Sequence, residues 1–152
     1  MTQLSKHFTL EELTYSPNAI RRGIKNTPNA KQKANLKLLC DNILESVREL
    51  ADEPVHVSSG FRNREVNELA GGVKDSDHMS GTVADIQTAK LTPRELFDRI
   101  RKSDIKFDQL ICEFGVWNHI SYRAISPRGE CLIASKNRAG KTVYKKINRY
   151  AK

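Results

Sequence analysis

Apolar residues recur at three- and four-residue intervals through the first third of the chain. Leu36, Leu39, Cys40, Ile43, Val47 and Leu50 form the longest such stripe. That spacing lines one face of an α-helix. It predicts a long helix from Thr27-Pro28 to about Leu50, a scaffold with one face against the core. Upstream, Thr9-Leu10-Glu11-Glu12 is a capping box that opens a short helix ending before Ser16-Pro17. Residues 17–27, rich in Asn, Pro, Gly and Arg, read as a loop. After Pro54, Val55-His56-Val57-Ser58 reads as a strand. A short helix over about Asn63–Leu69 ends at Gly71-Gly72, and residues 73–82 are a polar loop. Val83–Ile86 is a short strand. Thr92-Pro93-Arg94-Glu95 is a second capping box with proline at the first helical position, opening a helix to about Lys102. Phe107–Glu113 and Val116–Tyr122 are strands around Phe114-Gly115, and further short strands are expected near Cys131–Ala134 and Thr142–Tyr144.

Helices come early, strands late, and the middle is mixed. The order predicts an α+β fold, a small antiparallel sheet with flanking helices. A chain of 152 residues without repeats suits a single domain over 1–152. No apolar run approaches the about 20 residues that span a membrane. The first residues, MTQLSKHFTLEEL, lack an apolar secretory stretch, so synthesis in the cytoplasm without a signal peptide is expected. Cys40, Cys112 and Cys131 are widely spaced and form no CxxC pair, which reads as reduced core thiols.

Charge changes the picture. Residues 1–122 carry 17 basic and 17 acidic side chains, whereas residues 123–152 carry nine basic ones against Glu130 alone. Two readings fit this basic C-terminal segment: contact with an anionic cell-wall polymer, nucleic acid or membrane surface, or a solvated tail. The segment has no recognisable nucleic-acid reading motif and only Tyr144 and Tyr150 as stacking residues, which disfavours nucleic acid.

Candidate chemistry centres on two of the four histidines. His7 reads as a surface residue and His56 as a half-exposed strand residue. His78 lies in Ser76-Asp77-His78-Met79-Ser80-Gly81-Thr82-Val83-Ala84-Asp85, where an aspartate then appears inside an apolar strand. A carboxylate there is costly to bury unless it is paired or ligates a metal. His119 sits in an apolar strand beside the only tryptophan, and period-two alternation puts Trp117, His119 and Ser121 on one face, with Trp117 and Ser121 as candidates to contact substrate or support the site. Two imidazoles and a carboxylate suit zinc, with a fourth position left for water. Glu113 ends the preceding strand, so a hairpin brings it near His119 as a candidate general base. Arg62, in Ser58-Ser59-Gly60-Phe61-Arg62, can bind a carboxylate or an oxyanion.

Ser59-Gly60-Phe61-Arg62, the Ser-x-His-x-x-Gly-x-Ala-x-Asp run from Ser76 to Asp85, and Glu113 followed by Trp117 and His119 together resemble the zinc D-alanyl-D-alanine carboxypeptidase family, including its phage-type peptidoglycan endopeptidases. The resemblance spans about residues 55–122. It implies the Hedgehog/DD-peptidase fold and one Zn2+ per chain held by His78, Asp85 and His119. It implies Glu113 as general base, Arg62 on substrate carboxylate or transition state, and Ser76 supporting the site by hydrogen bonding. Many family members place the glutamate three residues before the last histidine, and here Glu113 stands six before His119. Asp108 and Asp75 are the substitute bases. The expected activity is zinc-dependent hydrolysis of peptidoglycan stem or cross-link peptides by a monomeric phage or prophage lytic enzyme, an endolysin or a virion-associated one, reaching the wall after holin-type release or from a virion. The alternatives are a D-Ala-D-Ala carboxypeptidase of bacterial wall metabolism and a catalytically silent virion structural module of the same fold.

Overall fold

A computed structural model describes residues 1–152. The Thr9 capping box forms and opens α1 (Leu10–Thr14). The segment read as a loop contains a helix, α2 (Pro17–Arg22). Its start and stop signals are local: Ser16 caps Ala19, Pro17 fills the first turn, and Gly23 closes the helix in the left-handed region at φ 65°. Those residue types lower the average helix propensity of the stretch, yet each sits where a helix end favours it.

The long helix starts at an Asn29–Gln32 capping box rather than at Thr27-Pro28. It is not uniform. α3 (Ala30–Leu39) passes through a π-helical turn at Cys40–Leu44 into α4 (Glu45–Ala51). The wide turn advances the phase of the stripe. Leu36, Leu39, Cys40, Ile43 and Val47 are buried as the period predicts, Leu44 joins them, and Leu50 moves to the core's edge.

The remaining elements are β1 (His56–Ser59), α5 (Arg64–Leu69), β2 (Val83–Gln87), α6 (Pro93–Arg101), β3 (Gln109–Glu113), β4 (Trp117–Ser121), β5 (Glu130–Lys136) and β6 (Thr142–Ile147). The strands form one sheet in the order β1-β2-β4-β3-β5-β6. The fold is α+β, but the sheet is mixed: β3 and β5 run parallel and every other pair is antiparallel. The connection explains it. β4 ends beside the start of β3, and residues 122–129 step across that end of β3 to begin β5 on its far side. The step is pinned where Gly129 N–H donates to Phe107 O and Glu130 N–H to Asp108 O.

One face of the sheet packs on α3, α4 and α6. Ala84, Ile86, Leu110, Cys112, Ile120 and Cys131 share a single apolar cluster with residues of those helices. The three cysteines are buried and free, and burial pushes the Cys40 thiol up to about 12. The other face carries Asp85 and His119. No helix is long and apolar enough to cross a membrane.

The basic C-terminal segment is not a solvated tail. Glu130–Lys136 and Thr142–Ile147 within it are strands of the sheet. Arg128 pairs with Asp108 at 2.9 Å. Buried Arg101 donates to the carbonyls of Asn148, Arg149 and Ala151, and Arg149 donates back to those of Arg101, Ser103 and Ile105. The two guanidinium groups fasten the chain end to the C-terminal end of α6.

Candidate metal centre

His78 stands in a 3-10 turn, Asp77–Met79, that Ser76 caps by accepting from the His78 N–H at 3.2 Å. α3 holds the following residues, with Gln32 Nε2 donating to Met79 O at 3.0 Å and Asn35 Nδ2 to Ser80 O at 2.9 Å. Gly81 then turns at φ 79°, and a Cβ there would stand 2.7 Å from Gln32 O. Only glycine combines that backbone angle with that approach to α3. β2 follows at once and presents Asp85. β4 pairs with β2 so that His119 is the direct register partner of Asp85.

One nitrogen from each imidazole and one carboxylate oxygen lie within 4.8 Å of one another in His78, Asp85 and His119. His78 Nε2 is 3.4 Å from Asp85 Oδ2, and His119 Nδ1 is 3.1 Å from Asp85 Oδ1. The two rings meet edge to face, with centroids 5.5 Å apart. His78 Nδ1 lies 2.7 Å from the carbonyl of Gly60. That carbonyl can only accept, so Nδ1 carries the proton and Nε2 is left with its lone pair toward Asp85. Burial opposes the charge on Asp85. The imidazoles of His119 and His78 beside it outweigh that cost and hold the carboxyl well below the usual carboxylate range. An ionised carboxylate between two imidazoles, nearly shut off from water, fits a divalent cation with mixed nitrogen and oxygen preference such as zinc.

Two charged groups flank the three. Glu113 ends β3 opposite Trp117 and is half-buried. Burial raises its carboxyl above the ordinary range; His119 opposes the rise and Asp85 adds to it. Arg62 follows β1, with its backbone N–H donating to His78 O at 3.1 Å. Burial lowers its pKa and the attraction of Asp85 counters that. Its Nε is buried without a hydrogen-bond partner.

Other predicted residues take different places. Ser121 Oγ accepts from the Gln109 N–H at 3.0 Å, so its hydroxyl ties β4 to β3. Asp108 accepts from the Arg128 backbone and from Nε and Nη2 of its guanidinium, which leaves it no role as a base. Asp75 is exposed. His7 is paired with Glu45, away from the site. The sequence reading missed the Gly60 carbonyl. Its signal was the glycine itself: a Cβ at Gly60 would stand 2.3 Å from Leu13 O, so the strand end must lie flush against α1 for its carbonyl to reach His78.

The site is assembled from β1, β2, β4 and the 3-10 turn, all within one matched region. A family model described as peptidase M15 matches residues 6–121. No curated protein sequence matches the chain. The matched region holds His78, Asp85, His119, Glu113 and Arg62, and covers most of the chain. The chain therefore belongs to the peptidase M15 family, the zinc D-alanyl-D-alanine carboxypeptidase-like metallopeptidases.

Proposed function

We propose that this chain hydrolyses peptide bonds in peptidoglycan stem or cross-link peptides, with one zinc ion held by His78, Asp85 and His119. The observation that carries the reading is the three-residue cluster flanked by one acid of raised pKa and one arginine with an unmet donor. Bound zinc supplies Lewis acidity, which makes water acidic near neutral pH and polarises the scissile carbonyl. Glu113 takes the proton of the attacking water and delivers it to the leaving amine. A carboxyl shifted upward is better matched to both transfers than an ordinary one. Arg62 offers its guanidinium to the substrate's carboxylate or to the tetrahedral oxyanion. Gly60 and Ser76 keep His78 in place. The substrate class rests on family membership. Within it, the reading taken is a phage or prophage lytic enzyme, with a carboxypeptidase of wall metabolism as the alternative.

The decisive measurement is mass spectrometry of purified peptidoglycan after incubation with zinc-loaded protein. New amino and carboxyl termini on stem peptides are expected, and none with His119→Ala, which also loses zinc. Zinc binding without any new termini would leave only the silent structural module.

A further inference from the structure

The site-bearing face of the sheet does not end at His119. Residues paired in register project to the same face. Register carries one row from Asp85 through His119, Ile111 and Leu132 to Lys146. A second row runs from Trp117 through Glu113 and Ala134 to Tyr144. With strands about 4.8 Å apart, Lys146 stands about 14 Å from His119 and Tyr144 about 10 Å from Glu113. β5 and β6 lie beyond the residues matched by the family model, which stops at 121.

The turn between β3 and β4 forms the near edge of this surface. Phe114 and Gly115 have φ of 56° and 69°, and Val116 N–H donates to Glu113 O at 2.9 Å. A two-residue turn with both φ positive favours Asn-Gly, and a bulky aromatic in its first position is strained. Core packing does not account for the phenylalanine, which is 37% exposed. Its ring instead meets Trp117 edge to face at 5.9 Å, with the Lys136 ammonium 5.3 Å above it. Strain retained beside a reacting group points to a use for the side chain. Tyr144 and Lys146 are exposed too, and the one acid of the hairpin, Glu130, is taken up by Gln109 and Arg128.

We propose that Phe114, Tyr144, Lys136 and Lys146 form a shelf that holds the arm of the substrate peptide leading away from the cleaved bond. The rings lie against its aliphatic stems, and the ammonium groups bind a free carboxylate on it. The occupant rests on the wall-peptide reading; the continuity of the two rows with His119 and Glu113 makes it the substrate itself rather than a separate polymer. A span of about 14 Å corresponds to about four extended residues, the scale of a stem peptide.

Lys145 provides an internal control. It pairs with Ile133 and so projects to the opposite face with the same charge. The zinc-loaded full chain is assayed on a soluble cross-linked muropeptide with free carboxylates and on the same peptide with those carboxylates amidated. Lys146→Gln is expected to raise KM about two- to fivefold on the free form, the size of an exposed ion pair, and to change little on the amidated form. Lys145→Gln is expected to alter neither. Phe114→Asn, which suits the turn, is expected to raise KM on both. Equal effects of the Lys145 and Lys146 substitutions, or equal losses on both peptides from Lys146→Gln, would overturn the shelf. If the wild type cuts neither peptide, the wall-peptide reading fails by itself. Calorimetric titration of the zinc-loaded protein with the two peptides then decides the shelf: preference for the free-carboxylate form supports it, while equal affinity, or tighter binding of a teichoic acid, overturns it.

Discussion

Glu113 shows how function and stability oppose one another at a single position. Its carboxyl is half-buried with no compensating ion pair, and burial raises its pKa. A carboxyl whose folded pKa lies above its unfolded value costs stability once the unfolded form ionises, above about pH 4.3. The cost is absent below that pH and grows as pH rises through the folded value. Glu113→Gln should therefore raise the melting temperature of the zinc-free protein at pH 7 and leave it unchanged at pH 3. The same change should retain zinc and lower turnover by about 10²–10⁴-fold, the usual contribution of a general base. A variant that still turns over at the wild-type rate would mean that another group moves the proton. The residues of this site were legible because their chemistry is conspicuous in its setting: an aspartate in an apolar strand, a histidine beside the sole tryptophan. What the sequence could not convey is orientation. Nothing in the letters Ser-Gly-Phe-Arg says that the Gly60 carbonyl fixes the His78 tautomer, or that Ser121, two residues from His119, spends its hydroxyl on Gln109.

Among the secondary-structure elements, legibility followed the length of the pattern. The stripe from Leu36 to Val47 has many members, and its helix is present, whereas a six-residue helix such as α2 has too few apolar positions to show a period. The π turn at Cys40–Leu44 is invisible to a fixed period because it changes the period. The parallel pairing of β3 with β5 depends on where β4 ends in space, which no local spacing encodes. The junction of β1 with α1 is where element packing reaches the chemistry. Phe61 N–H donates to Leu13 O at 2.7 Å, and the adjacent Gly60 has no room for a side chain. Gly60→Ala must push the strand end off α1, at a cost of about 1–3 kcal/mol for an overpacked site. Because the Gly60 carbonyl also holds His78, zinc affinity should drop about 10- to 100-fold, as for other groups that orient a ligand from behind. A chemical denaturation midpoint and a competitive zinc titration read the two effects separately. Lost stability with unchanged zinc affinity would show that His78 is oriented without Gly60.

For the whole molecule, the excess positive charge divides into two groups. Lys136, Lys145 and Lys146 are exposed on the hairpin, while Arg128 and Arg149 are structural. The Arg149 guanidinium donates to three carbonyls around the end of α6 and lies 4.3 Å over the Phe107 ring. Arg128 holds the segment that carries the chain across β3, through Asp108. The Arg128 hydrogen bonds hold the Asp108 carboxyl below its ordinary range. A carboxyl of depressed folded pKa contributes stability above its unfolded value of about 3.9, and loses it as pH falls through the folded value. Acid should thus loosen the β4–β5 crossover, and Asp108→Asn should remove this part of the acid sensitivity while lowering stability at pH 7. Arg149→Leu acts differently. It leaves three carbonyls without their charged donor at every pH, so a loss of about 2 kcal/mol or more is expected, independent of acidity. Melting curves of the two variants between pH 3 and 7 separate the cases: the gap between the Asp108 variant and the wild type should narrow toward the acid end, and the Arg149 variant should run parallel to the wild type. An Asp108 variant that instead runs parallel to the wild type would move the acid response away from the crossover, and with it the hold that keeps β5 and β6 on the sheet beside the candidate metal centre.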